Sequence, residues 1–153
     1  MGNKNIYGGG YMKSLKEILA SKNLHTVKSC TTIYDTACFM AEHNIGLVPV
    51  LGEEGKLLGV FSERDLVRRV ITRDLDLKST LVDEVMTKDL VLANVNESHE
   101  QCLKKMKDRG TRHILIFENE KLIGIISVKD LLEVDLKDYK ETVEILHNYI
   151  YAR

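Results

Sequence analysis

The sequence contains one motif written twice, and that duplication limits the fold more than any other feature. Residues 56–66 read Lys-Leu-Leu-Gly-Val-Phe-Ser-Glu-Arg-Asp-Leu and residues 121–131 read Lys-Leu-Ile-Gly-Ile-Ile-Ser-Val-Lys-Asp-Leu, six of eleven positions identical at an offset of 65. Upstream the match continues at an offset of 66, pairing Leu15 with Leu81, Lys22 with Lys88, Leu24 with Leu90 and Met40 with Met106. The offset changes in the polar stretches 52–55 and 118–120, where turns absorb a one-residue deletion most easily. Two copies of so long a period do not make a solenoid. They predict two similar halves sharing a core.

Hydrophobic spacing gives each half the same order of elements. In copy one, a short helix over 15–21 precedes an extended stretch near 24–27. A helix over 32–42 follows, with Thr32 as N-cap and Ile33, Ala37, Met40 and Ala41 on one face. Apolar runs at 47–51 and 57–61 read as strands, and a helix begins after Ser62. Copy two repeats this with a helix near 81–86, a strand over 90–95, a helix over 98–109, strands at 113–117 and 122–126, and a helix from Val128. The result is an α/β fold of two pseudo-symmetric β-α-β-β-α motifs packed as one module. The strand–helix–strand connection implies a parallel pair and the short turn an antiparallel one. The expected division is a leader over 1–11, motif one over 12–73, a linker over 74–79, motif two over 80–134, and a C-terminal helical tail over 135–153. In the tail, Tyr139, Val143, Leu146 and Ile150 recur at helical spacing. That stripe fits a helix packed on its own domain or a subunit contact.

Composition narrows the function. Of 153 residues, 22 are basic and 23 acidic, a net charge of −1 that offers no electrostatic footprint for nucleic acid or an anionic membrane. No apolar run approaches the roughly 20 residues that span a bilayer. Cys30, Cys38 and Cys102 form no Cys-x-x-Cys pair, which argues against a disulfide framework or a zinc site and for a reducing, cytoplasmic setting. The glycines at 8–10 lack the strand and the Gly-Lys-Ser/Thr of a phosphate loop. His25, His43, His99 and His147 show no metal spacing, and no carboxylate pair or activated nucleophile stands out. A catalyst is not expected, and neither is a metal or a catalytic cofactor.

The chemistry-bearing motif is Gly-x-x-Ser-x-x-Asp, present as Gly59/Ser62/Asp65 and Gly124/Ser127/Asp130. Each Ser falls where a strand ends and a helix begins. Exposed N–H groups there favour a phosphate, and an acceptor-only carboxylate suits the vicinal diol of a ribose. The same spacing is equally a capping box, which stabilises a helix with no ligand at all. Arg64, Arg68, Arg69 and Arg73 likewise fit either a solvated helix face or phosphate contacts.

Several stretches together carry a family resemblance: 44–50 (Asn-Ile-Gly-Leu-Val-Pro-Val), 59–65, 83–87 (Asp-Glu-Val-Met-Thr), 110–116 (Gly-Thr-Arg-His-Ile-Leu-Ile) and 124–130. The chain from Met12 on resembles stand-alone proteins built from one pair of cystathionine-β-synthase-type (CBS) motifs. The resemblance implies a regulatory sensor with two pseudo-symmetric clefts for an adenosine-containing ligand: AMP, ADP, ATP, NAD or S-adenosylmethionine. It implies adenine against Thr31, Thr36, Ile45, Gly46 and Leu47 in the first cleft, ribose on Asp130, and phosphate at Ser127, Arg112 and His113. The second, weaker cleft would use Ser62, Asp65, Thr111, Arg112 and His113, with Arg64, Arg68 or Arg69 turned inward to supply the missing charge. It further implies a homodimer that passes nucleotide state to a protein partner. The competing expectation is the same fold with empty clefts, serving as a dimerisation scaffold that docks on an enzyme.

Overall fold

The computed structural model describes residues 13–132 and 139–151. The leader expected over 1–11 and the start of the tail lie outside them. The chain forms two compact units, one made of residues 25–90 and the other of residues 1–24 together with 91–153.

In the first of these, strand β1 (Val27–Lys28) pairs parallel with β2 (Leu47–Leu51), and β2 pairs antiparallel with β3 (Leu57–Ser62). Helix α2 (Ile33–Glu42) makes the crossover between β1 and β2. It starts where expected: the Thr32 hydroxyl accepts the Asp35 N–H at 3.1 Å, satisfying one of the unpaired donors of the first turn. Its buried stripe is Ile33, Thr36 and Met40, whereas Ala41, expected on that face, is exposed. Thr36 takes the interior place because its hydroxyl donates to the Thr32 carbonyl at 2.8 Å, so no polar group is stranded. The core gathers Val27, Ile33, Met40, Val48, Val50, Phe61, Val70, Val82, Val85 and Met86. After Ser62 the helical stretch is irregular: one turn of α3 (Glu63–Asp65), a π turn (Leu66–Val70) and a 3-10 turn (Ile71–Arg73). The segment expected to bridge the copies packs here too, since the Leu77 and Thr80 carbonyls accept the Tyr34 and Ile33 N–H groups. The helix expected near 81–86 is a single 3-10 turn, Val82–Glu84.

The second unit repeats the pattern. Strand β4 (Leu92–Asn94) pairs parallel with β5 (His113–Glu118), which pairs antiparallel with β6 (Lys121–Ser127). Helix α4 (His99–Arg109) starts at Ser98 with both halves of a capping box and stops at Gly110 in the left-handed conformation (φ 64°). Both hairpins slip register at the equivalent point, between Val50 and Leu51 and between Ile116 and Phe117, next to the turns where the sequence offset changes.

The repeats of the sequence and the units of the structure are cut differently. Helix α1 (Leu15–Ala20) opens copy one, yet Leu15 and Ile18 belong to the core of the second sheet, with Ala93, Val95, Cys102, Met106, Ile114, Ile116 and Ile126. Close approach is possible because Gly124 of β6 has no side chain; a Cβ there would run into Leu19 Cδ2. Reciprocally, residues 82–90, at the start of copy two, complete the first unit. Thr87 bridges to Val60 through hydrogen bonds of 2.8 and 2.9 Å. Helix α5 (Val128–Leu131) is one turn, and α6 (Tyr139–Tyr151) closes the described chain. Of the tail stripe, Leu146 packs on this core while Ile150 is 50% exposed; Tyr149, one residue round, takes the inward place. The side chains of Tyr139 and Val143 lie outside the described residues.

Candidate functional site

The two Ser-x-x-Asp motifs adopt the same backbone and different chemistry. In the unit of residues 25–90, Ser62 N and Ser62 Oγ donate to Asp65 Oδ2 at 3.0 and 3.1 Å, and Asp65 N donates back to Ser62 Oγ at 3.2 Å. The other oxygen, Oδ1, accepts the Thr87 hydroxyl at 3.0 Å and faces Arg69 Nε at 3.6 Å. Asp65 is only 7% exposed. Both oxygens are engaged, so in this conformation the realised role is a cap and a strut to Thr87. Arg69 is held there as well, donating to the Met86 carbonyl at 3.1 Å. Arg64 and Arg68 are exposed.

In the same unit Thr31, between β1 and α2, and Ile45, Gly46 and Leu47, at the α2–β2 junction, are all partly accessible. Thr31 donates its hydroxyl to the Lys28 carbonyl at 2.6 Å. Thr36, grouped with them in the sequence reading, is fully buried. Glu63 N donates to the Gly46 carbonyl at 3.0 Å, and its carboxylate lies over the glycine: a Cβ on Gly46 would sit 3.4 Å from Glu63 Oε2. A carboxylate at this point repels a phosphate.

In the other unit the equivalent positions reverse the sign. Val128 takes the place of Glu63, and its N–H donates to the carbonyl of Arg112, which takes the place of Gly46, at 3.0 Å. The register of β5 and β6 sets His113 opposite Ser127. Ser127 N donates to Asp130 Oδ2 at 2.8 Å and Asp130 N to Ser127 Oγ at 3.1 Å, again a capping box. Asp130 is only half buried, and Lys22 Nζ forms an ion pair with its Oδ2. Burial pushes the Asp130 carboxyl up, but the Lys22 ammonium and the Ser127 donors outweigh it and hold the group below the ordinary carboxylate value. His113 shifts the opposite way to an isolated imidazole beside an acid. Burial and the charge of Lys22 depress it, with Arg112 adding to them, and Asp130 only partly compensates. The neutral form of the ring is thereby favoured. Thr111 completes this edge: its hydroxyl and the His113 backbone bond each other, and its carbonyl accepts the Tyr149 hydroxyl.

Of the sequence-derived site, the structure thus brings together Arg112, His113, Ser127 and Asp130 in one unit, with Thr111 beside them. Thr31, Thr36, Ile45, Gly46, Leu47, Ser62 and Asp65 lie in the other. The residue that sequence reasoning missed is Lys22. Its signal was present in the repeat, where it matches Lys88, but a lysine in the polar run 21–23 looks solvated. At both helix starts the Ser and Asp side chains form the capping box that the spacing also allowed. The Ser62 and Ser127 hydroxyls each accept the N–H of the Asp three residues on, and the side chains of Lys22 and Arg112 add charge beside the second of these starts. Among the described residues no group of three or more His, Cys, Asp or Glu is placed to hold a metal ion.

The family model for the CBS domain matches residues 15–72 and 82–137. The mitochondrial CBS domain-containing protein CBSX3 of Arabidopsis thaliana is 31% identical over 128 residues, 79% of this chain; the match spans 62% of that relative's length. The crystal structure of a CBS-domain containing protein from Agrobacterium tumefaciens superposes with a TM-score of 0.75 at 33% identity, covering 84% of this chain and 98% of that one. A CBS domain protein from Pyrobaculum aerophilum, complexed with AMP, superposes with a TM-score of 0.72 at 20% identity over 87% of this chain and 99% of its own.

Proposed function

The chain belongs to the CBS-domain family, and on that premise we propose that it is a regulatory module that binds an adenosine-containing nucleotide and signals through a change of conformation rather than by catalysis. The observation that carries this reading is the edge formed by Arg112, His113, Ser127, Asp130 and Lys22. It offers one acceptor carboxylate for a ribose diol and two permanent cations plus an imidazole for a phosphate. The resemblance assigns the adenine to Thr31, Thr36, Ile45, Gly46 and Leu47, of which Thr36 is fully buried. AMP is the first ligand to test, since the fold neighbour from Pyrobaculum aerophilum is complexed with it. ADP, ATP, NAD and S-adenosylmethionine follow. The Glu63 carboxylate over Gly46 supports unequal binding by the two motifs, with Ser62 and Asp65 on the weaker side.

The reading includes a homodimer in the cytoplasm. Val67 and Ile71 stand 57% and 59% exposed on one helical stretch, which suits a second copy, and sedimentation velocity measures the state directly. Among the described residues no helix is long and apolar enough to cross a membrane.

The test is thermal unfolding with each nucleotide. A ligand that prefers the native state stabilises by about 2.7 kcal/mol at a hundred times its dissociation constant. We expect a rise with at least one nucleotide, and its loss in Asp130→Ala. A second reading, a ligand-free scaffold for a partner enzyme, is favoured by the capping bonds that both Asp residues already make. No shift with any of the five ligands establishes the scaffold and ends the sensor reading.

A further inference from the structure

Lys22 is the feature of this edge that lies outside the Gly-x-x-Ser-x-x-Asp motif. It follows α1, and α1 is fixed on the second sheet by Leu15, Ile18 and Leu19. The Lys22 N–H also donates to the Leu19 carbonyl at 3.0 Å. Apolar packing, not the ion pair, therefore delivers the ammonium to Asp130. There it meets Oδ2, the oxygen that also accepts the Ser127 N–H. Copy one uses different groups in the same place. Asp65 is met by Thr87 and Arg69, while Lys88, the counterpart of Lys22, acts on Asp83 instead. The Lys22 charge also reaches His113, so it stands within the same group of side chains as Arg112. Its side chain is 37% exposed and its four-carbon stem can swing.

We propose that Lys22 is the specificity-determining residue of the nucleotide edge: it pairs with Asp130 and transfers to the ligand's phosphate when the ribose hydroxyls take the carboxylate. This rests on the nucleotide reading above and deepens it. A nucleoside without phosphate must displace the ammonium and leaves it without a partner. A nucleotide displaces it and supplies a new one. The exchange discriminates AMP from adenosine without any contact to the base.

Isothermal titration calorimetry with AMP and with adenosine tests this on the full chain as wild type, Lys22→Met and Lys22→Arg. Methionine keeps the length and apolar stem but removes the charge. One charge-assisted contact corresponds to roughly a ten- to hundredfold change in affinity. The expected result for Lys22→Met is AMP weakened by about tenfold or more, with adenosine unchanged or tightened, while Lys22→Arg keeps most of the preference for AMP. Parallel changes for both ligands, or no change for either, overturn the role of Lys22 and leave the nucleotide reading standing. A wild-type protein that binds neither ligand removes that reading and this inference together. Far-UV circular dichroism of each variant separates lost binding from lost fold.

Discussion

Replacing Asp65 by alanine should destabilise the protein far more than a surface carboxylate would, and the structure supplies the magnitude. The side chain caps the turn at Ser62, a contribution of about 1 kcal/mol. It also accepts the Thr87 hydroxyl at 3.0 Å in a site 7% exposed, and a hydrogen bond to a charged group contributes roughly 1.5–3 kcal/mol. The Arg69 contact, at 3.6 Å and with the arginine side chain 42% exposed, adds little after solvent screening. The expected loss for Asp65→Ala is therefore about 2.5–4 kcal/mol, roughly 10 °C in melting temperature for a chain of this size. Asp65→Asn, which keeps an acceptor of the same shape, should fall between it and the wild type. The equivalent Asp130→Ala removes a cap and a more exposed ion pair and should cost only about 1–1.5 kcal/mol. Urea titrations followed by far-UV circular dichroism measure all three, provided the slope with denaturant is unchanged. A loss below about 1 kcal/mol at Asp65, or one no larger than at Asp130, would refute the assignment of Asp65 as a strut.

Three further outcomes follow from the packing and the ionisable groups. Gly59 and Gly124 are equivalent in the repeat, but a Cβ on Gly59 would lie 2.7 Å from the Thr87 carbonyl oxygen, whereas on Gly124 it meets the movable end of Leu19. Gly59→Ala should therefore cost about 2–3 kcal/mol and Gly124→Ala about 1 kcal/mol or less, read from the same titrations. Burial pushes the Asp83 carboxyl up, but the Ser29 hydroxyl and the Cys30 N–H more than offset it, so its folded value lies below the ordinary 3.8. The stability it contributes is present above pH 3.8 and disappears as pH falls through the lower folded value; Asp83→Asn should flatten that part of the acid transition. Cys102 is buried, which with Glu97 pushes its thiol up to about 11 against a smaller opposing effect of Lys105, while Cys30 and Cys38 are exposed. A thiol reagent at neutral pH should modify two cysteines in the native protein and the third only on unfolding.

The elements that local chemistry specifies were legible in the sequence. Thr32 and Ser98 cap the helices that follow them because a hydroxyl before an apolar periodic run has one good use. The parallel and antiparallel pairings follow from a crossover and a tight turn. What could not be read is partner choice. Leu15, Ile18 and Leu19 announce a buried face but not which sheet buries it, and Lys22 inherits that ambiguity. Thr36 passes for a polar surface residue until its hydroxyl is seen to bond the previous turn, which frees Ala41 to face solvent. Tyr149 and Ile150 differ by a rotation of one residue, too small for spacing alone to resolve. At the site, the spacing of Ser and Asp allowed either a cap or a ligand contact. The structure shows the cap in both copies and leaves a half-buried carboxylate in one.

The placement of α1 sets an order on synthesis. The unit of residues 25–90 is continuous in the chain and can close as soon as it leaves the ribosome, through contacts of modest sequence separation. The other unit needs Leu15 and Ile18 from before that stretch and Ile114, Ile116 and Ile126 from after it, so α1 waits for its core until the later strands have been made. Until then its apolar face has no sheet to cover it, and the interval during which a nascent chain is open to aggregation is the time taken to translate the hundred-odd residues between them.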